Sequence, residues 1–266
     1  MMPPLNRKGT WQPIATYAFL FTFIASVQLS STFAPSFRHN GHATFRGTKS
    51  NANSQSFKSR PLMAATHRIE STNDGPSDSP VHTLTIDNFD GASDDPIVIQ
   101  TGKIGRQAAG AVTLTRGETV IYATASRDKE PKESIDFLPL SVEYQERFSS
   151  VGQTSGGYNK RDGRPAEHEI LTCRLIDRPL RPLIANGWKH ETQLLSWVLS
   201  YDNKRSSDTM AIIANSAALW LSDVPLIKPV AAATVGLIDG ELVVNPTNEV
   251  RVNCLVEYFM LEIVRF

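Results

Sequence analysis

The chain has 266 residues, enough for one medium or two small domains. With 41% hydrophobic and 20% charged residues it can bury a core over most of its length. Twenty-seven basic residues balance twenty-seven acidic ones, so any surface for an anionic partner must be a local patch. Two cysteines, Cys173 and Cys254, are too few for a disulfide framework, and neither lies in a zinc-type cluster.

The charge is unevenly placed. Residues 1–69 carry Arg7, Lys8, Arg38, Arg46, Lys49, Lys58, Arg60 and Arg68 but no acid. Arg7 and Lys8 precede a mostly apolar run over 14–27. That run is shorter than the roughly twenty residues a spanning helix needs, and fits a signal peptide over 1–32. A Ser-, Asn-, Arg- and His-rich stretch follows, the composition of a transit peptide. Residues 33–80 are expected to be transit peptide and linker without structure. The Ser31-Thr32-Phe33-Ala34-Pro35 junction resembles the two-part plastid leader of algae with secondary plastids. A plastid address is therefore expected, with the mitochondrion as the alternative.

From Val81 onward the pattern turns to strands. Residues 81–87, 96–101, 108–115, 119–126 and 138–144 are rich in β-branched and apolar side chains, with Arg116-Gly117-Glu118 as a turn. Residues 165–176 fit a helix with Glu167 and Glu169 in its first turn. Residues 192–200 fit a strand. Residues 208–221 are a strongly apolar helix, capped by Ser207 or Asp208. Residues 230–238 and 241–244 flank Asp239-Gly240 as a hairpin with a type I′ turn. The order predicts an α+β domain over 81–250. The segment 251–266 stands apart as a divergent tail.

The chemistry concentrates in 144–183. A loop with Gly156, Gly157, Tyr158, Asn159, Lys160, Arg161 and Arg164 offers a mobile backbone, one stacking face and several cations. That combination suits single-stranded RNA, whose bases stack and whose phosphates seek positive charge. It also suits an ordinary solvated loop. Arg174, Arg178 and Arg181 are spaced to share one helix face, and guanidinium forks bind phosphate oxygens in pairs. Ion pairs to acids such as Glu143 or Glu146 are the competing explanation. Arg106 and Gln107 read as polar residues at the core edge, and His168 as an exposed helix-start residue. Glu143, Glu146 and Asp136 have no defensible metal-ligand spacing. No P-loop, nucleophile elbow, zinc signature or dinucleotide fingerprint is present.

Several motifs, in order, resemble the first RNase PH-like domain of the polynucleotide phosphorylase family. They are Thr101-Gly102 with Arg106-Gln107-Ala108, Phe137-Leu138-Pro139-Leu140, Tyr144-Gln145-Glu146-Arg147, and Arg161-Asp162-Gly163-Arg164-Pro165. Arg174-Leu175-Ile176-Asp177-Arg178-Pro179-Leu180-Arg181-Pro182, Ser216-Ala217-Ala218-Leu219 and Val244-Asn245-Pro246-Thr247 continue the series. The resemblance implies an RNase PH-type fold and phosphorolytic 3′-to-5′ RNA degradation. Inorganic phosphate would be the co-substrate, Mg2+ a metal of the whole enzyme, and a homotrimer its assembly. It further implies that Tyr158, Asn159, Lys160, Arg161 and Arg164 grip RNA, and that Arg174, Arg178 and Arg181 lie near the phosphorolytic site. The family's channel loop has two aromatics and two arginines, against Tyr158, Asn159, Lys160 and Arg161 here. Its catalytic serines and metal-binding aspartates lie in a second domain. No catalytic residue and no metal ligand is therefore expected in this chain, which would be the RNA-gripping part of an incomplete enzyme, inactive alone. The alternative is a non-catalytic RNA-binding subunit that assembles with a longer phosphorylase chain.

Overall fold

The computed structural model describes residues 66–72, 80–87, 95–132, 136–154, 165–238, 241–251 and 256–263. Six strands open the described chain: β1 (Thr66–Thr72), β2 (Val81–Asp87), β3 (Ile97–Thr101), β4 (Gly110–Arg116), β5 (Thr119–Pro131) and β6 (Leu140–Glu146). Then come α1 (Glu167–Leu180), β7 (His190–Ser200), α2 (Ser207–Leu221), β8 (Val230–Ile238), β9 (Glu241–Val244), the single-turn α3 (Asn248–Arg251) and β10 (Val256–Ile263). The α+β expectation holds, and every strand and helix expected between 81 and 244 forms within a few residues of its expected bounds.

One seven-stranded sheet runs in the order β1-β2-β3-β4-β5-β7-β6. Its pairs are antiparallel except β6 with β7, which run parallel. Parallel neighbours need a long crossover, and α1 lies within the one between β6 and β7. A second sheet has the order β10-β8-β9. The β8–β9 hairpin pairs Ile238 with Glu241 as expected, while its turn residues Asp239 and Gly240 lie outside the described residues.

Strand alternation sets the core. In β4, Gly110, Val112, Leu114 and Arg116 point inward while the residues between them are half-exposed. Tyr144, Leu114, Ile121, Ile176, Leu194 and Ile212 are almost completely buried. Each large apolar side chain so placed contributes about 1.5–3 kcal/mol. Helix α2 is buried from Ser207 to Leu219 apart from Asp208, the pattern of a helix covered on all sides. It packs against β4, β5 and β7 of one sheet and β8 of the other. Gly110 allows this closeness: a Cβ there would lie 2.1 Å from the Ala218 carbonyl oxygen. Ser216 Oγ accepts the Val230 N–H at 2.8 Å and ties α2 to β8. Asn245 takes a left-handed φ of 49° while its Oδ1 accepts the Thr234 N–H at 2.9 Å.

Two expectations need correction. The stretch 33–80 was expected to lack structure throughout, yet β1 pairs with β2 from Thr66–Asp87 to Thr72–Val81. Its side chains from Arg68 to Thr72 are exposed, as befits a polar edge strand, so no apolar alternation announces it. The cap of α2 is Ser206, one residue earlier than expected, with Oγ facing the Asp208 N–H at 3.5 Å. Within the divergent segment 251–266, β10 pairs antiparallel with β8 from Val256–Leu237 to Ile263–Val230.

Candidate nucleic-acid interface

Helix α1 lies along the outer edge of β6, and its two faces have different tasks. Glu169, Thr172, Ile176 and Leu180 are buried, at the three- and four-residue spacing of one helix face. The opposite side exposes Ile170, Leu171, Arg174 and Arg178.

The inner side of α1 satisfies the open edge of β6. Glu169 Oε1 accepts the Glu146 N–H at 2.6 Å, and Cys173 Sγ accepts the Tyr144 N–H at 3.2 Å. Just beyond the helix, Arg181 donates to the carbonyls of Leu138 and Leu140, both at 3.0 Å. An edge strand so covered cannot recruit another strand. Glu169 also accepts the Ala166 N–H at 2.5 Å, which holds the first turn of the helix. Burial pushes the Cys173 thiol pKa up and keeps it protonated.

Arg181 therefore departs from the expected picture of three equivalent arginines. Asp177 lies one turn earlier and takes Nε at 3.0 and 3.1 Å and Nη2 at 2.8 Å. With two carbonyls added, Arg181 is a structural clamp between helix and edge strand. Glu143 and Glu146 are not its partners: Glu143 accepts from Gln193, and Glu146 belongs to a separate knot. Arg174 and Arg178 remain as outward cations on a partly apolar face.

That knot joins the starts of both long helices. Glu146 Oε1 accepts from Ser207 Oγ at 3.0 Å and, in a short contact, from the Tyr144 hydroxyl. Glu146 Oε2 lies 2.9 Å from His168 Nε2. Thr172 Oγ1 donates to Asp208 Oδ1 at 2.9 Å, closing the gap between α1 and α2. Burial pushes the Tyr144 phenol pKa far above its ordinary range, and the Glu146 charge adds to this. Burial works in the same upward sense on Glu146, yet the donors Tyr144, His168 and Ser207 prevail and hold its pKa below the usual carboxylate value. The Glu146 hydrogen bond raises the His168 pKa against partial burial. The sequence carries no signal for this knot, because its members are scattered from 144 to 208.

The His168–Glu146 pair has a defined pH window. His168, its pKa raised, stabilises fully below the ordinary imidazole value of 6.5 and loses this as pH rises through the raised value. Glu146, its pKa depressed, stabilises fully above its ordinary 4.5 and loses this as pH falls through the depressed value. An NMR titration should give His168 a midpoint above that of a free imidazole, and Glu146→Gln should return it towards the ordinary value. An unchanged midpoint in that variant would refute the assignment.

Of the residues expected to grip RNA, Tyr158, Asn159, Lys160, Arg161 and Arg164 lie outside the described residues. Arg147 is exposed, with its guanidinium 5.3 Å from the centre of the Trp197 ring. Arg106 and Gln107, expected at the core edge, are exposed in the turn after β3, where Gly105 has a φ of 70°. Among the described residues no group of three or more His, Cys, Asp or Glu side chains is placed to hold a metal ion. Cys254 lies outside the described residues.

Comparison with known proteins now defines the class. Residues 95–225 match the 3′ exoribonuclease family, domain 1, and residues 228–250 match the same family's domain 2. Over these residues the chain carries the domains of the 3′ exoribonuclease family, and its mixed sheet with few helices is the RNase PH-like fold. Within that family it is similar to the polyribonucleotide nucleotidyltransferase of Protochlamydia amoebophila, 54% identical over 153 residues, 58% of this chain and 22% of that protein. The Bradyrhizobium diazoefficiens polyribonucleotide nucleotidyltransferase is 53% identical over 152 residues, 57% of this chain and 21% of that one. A probable chloroplastic polyribonucleotide nucleotidyltransferase 1 of rice is 51% identical over 156 residues, 59% of this chain and 17% of that protein. The chain thus spans about one fifth of the length of these relatives.

Proposed function

We propose that this chain is the RNA-gripping first domain of a phosphorolytic 3′-to-5′ RNA-degrading enzyme, a polyribonucleotide nucleotidyltransferase. The observation that carries this is the identity to proteins of that name, 54% over 153 residues and 51% over 156, beside the match of residues 95–225, which include α1 and β6, to the family's domain 1. In such a reaction inorganic phosphate attacks the 3′-terminal phosphodiester phosphorus. The bond to the preceding 3′ oxygen breaks, a nucleoside diphosphate leaves, and the RNA is one residue shorter with a free 3′ hydroxyl.

This chain's part is to hold a polyanion. Arg174 and Arg178 offer exposed guanidinium groups to phosphates, while Ile170 and Leu171 beside them offer apolar surface to bases or riboses. Arg181 supports that face from within by fixing α1 to β6. Tyr158, Asn159, Lys160, Arg161 and Arg164 are proposed as the other part of the grip. Single-stranded RNA is the partner and inorganic phosphate the co-substrate of the whole enzyme. Mg2+ is assigned to the whole enzyme; among the described residues no group of three or more His, Cys, Asp or Glu side chains is placed to hold it.

A homotrimeric whole enzyme and a plastid address complete the reading. The acid-free leader and the chloroplastic relative from rice support the address; a secondary-plastid alga is the source the leader junction suggests. Residues 1–32 are assigned to a signal peptide, 33 to about 65 to transit peptide and linker, and the domain to the residues after it. Among the described residues no helix is long and apolar enough to cross a membrane.

The full chain, incubated with poly(A) and inorganic phosphate, is expected to bind RNA and release no ADP. Phosphate-dependent ADP release by the chain alone would overturn the proposed division of labour.

A further inference from the structure

The seven-stranded sheet buries one face against α2 and leaves the other half-exposed. The residues between the buried ones in β4, β5 and β7 point to that outer face. A sheet face turned to water ordinarily carries polar side chains, as Thr113 and Thr115 of β4 do here. Its centre departs from this. Tyr122 of β5 stands directly opposite Trp197 of β7, both half-buried, and Leu199 beyond them is 47% exposed. Side chains paired in this way have Cβ atoms about 4.5–5.5 Å apart, so the two rings adjoin.

The neighbours fix this aromatic pair and charge it. Gly105 lies against the Tyr122 hydroxyl, where the Cβ of any larger residue would collide. On the other side, Gln145 of β6 is level with Trp197. Arg147, two residues on, is exposed and sets its guanidinium 5.3 Å from the centre of the Trp197 ring. Of the five N–H donors of a guanidinium, the hydrogen bond to Gln145 Oε1 at 3.4 Å uses one. Among the described residues no carboxylate pairs with Arg147, and Glu143, on the same face of β6, accepts from Gln193 instead.

We propose that this outer face is a second contact for single-stranded RNA, with bases stacked on Tyr122 and Trp197 and a phosphate held by Arg147. The proposal rests on the RNA-gripping reading above and extends it to a surface that reading does not use. Aromatic rings beside a cation suit a single strand, because each base offers a flat apolar face and each linkage a negative charge. Strand β6 joins the two surfaces. Helix α1 lies along its open edge, while Arg147 at its end leads through Phe148–Val151 towards Tyr158 and Arg161.

The full chain is titrated with a labelled oligoadenylate at several salt concentrations, following anisotropy. Tyr122→Leu and Trp197→Leu are each expected to weaken binding about tenfold, as the loss of one stacked base does, and to leave the slope of log affinity against log salt unchanged. Tyr122→Phe and Trp197→Phe keep a ring and should retain most of the affinity. Arg147→Gln should shrink the slope by about 0.7. A readout that needs no substitution accompanies these: an oligonucleotide carrying thiouridine should cross-link, on irradiation of the unaltered chain, to peptides that hold Tyr122 or Trp197. Leucine variants that bind RNA as the unaltered chain does, or cross-links confined to other peptides, would overturn the proposal while RNA binding itself stands. Leucine variants that change sedimentation but not RNA affinity would likewise overturn it and make the face a protein contact. An unaltered chain that binds no RNA would overturn the RNA-gripping reading and this proposal with it.

Discussion

Gly110→Ala is expected to destabilise the domain more than any other single-methyl change in β4. The added Cβ would lie 2.1 Å from the Ala218 carbonyl oxygen and 3.1 Å from the Ser222 nitrogen, both main-chain atoms of the α2 end. Main chain cannot swing aside as a side chain does. The helix must lift from β4, or β4 must bend. Either loosens packing against Val112 and Leu114, which are almost fully buried. Overpacking of this kind costs about 1–3 kcal/mol, and a backbone clash belongs at the upper end. Urea denaturation followed by tryptophan fluorescence would measure it. A midpoint unchanged from the unaltered chain would show that α2 and β4 are not packed as described.

Arg181→Gln is the second large effect, and it separates stability from RNA binding. The substitution removes the Arg181 hydrogen bonds to the Leu138 and Leu140 carbonyls, of which Leu138 keeps the Leu140 N–H, and leaves Asp177 without its cation. Hydrogen bonds to a charged group contribute about 1.5–3 kcal/mol, and Arg181 is partly exposed, so a loss near the lower figure is expected. Asp177→Asn should lose less, because the two carbonyl contacts survive. In conditions where Arg181→Gln remains folded, its RNA affinity should fall less than that of Arg174→Gln. Full stability combined with a large affinity loss would show that Arg181 meets RNA directly.

These two residues also show how far the sequence can be read. The β4–β5 hairpin was legible because Gly110 to Ser126 alternates around a Gly117-Glu118 turn. Helix α2 was legible because its apolar run is too long for an ordinary strand. Strand β1 was not, since Thr66–Thr72 offers one large apolar residue, Ile69, itself 45% exposed. The three arginines of α1 were visible as a pattern, but spacing alone treats them alike. Asp177 pairs with Arg181 one turn later and so sets that arginine apart from the other two. The capping of β6 by Glu169 and Cys173 has no local signature at all, because it pairs positions more than twenty apart. The extended motifs carried the family further than any physical pattern did, and the comparison with polyribonucleotide nucleotidyltransferases agrees with them.

The most direct test of the RNA-gripping role is fluorescence anisotropy of a labelled oligoadenylate, titrated with the full chain over a series of salt concentrations. Binding should weaken as salt rises, and the double variant Arg174→Gln, Arg178→Gln should bind more weakly with unchanged melting temperature. The slope of log affinity against log salt should shrink by about 0.7 for each guanidinium removed. Equal affinity and equal slope for the double variant and the unaltered chain would contradict the account, because the outward arginines of α1 would then have no part in holding RNA.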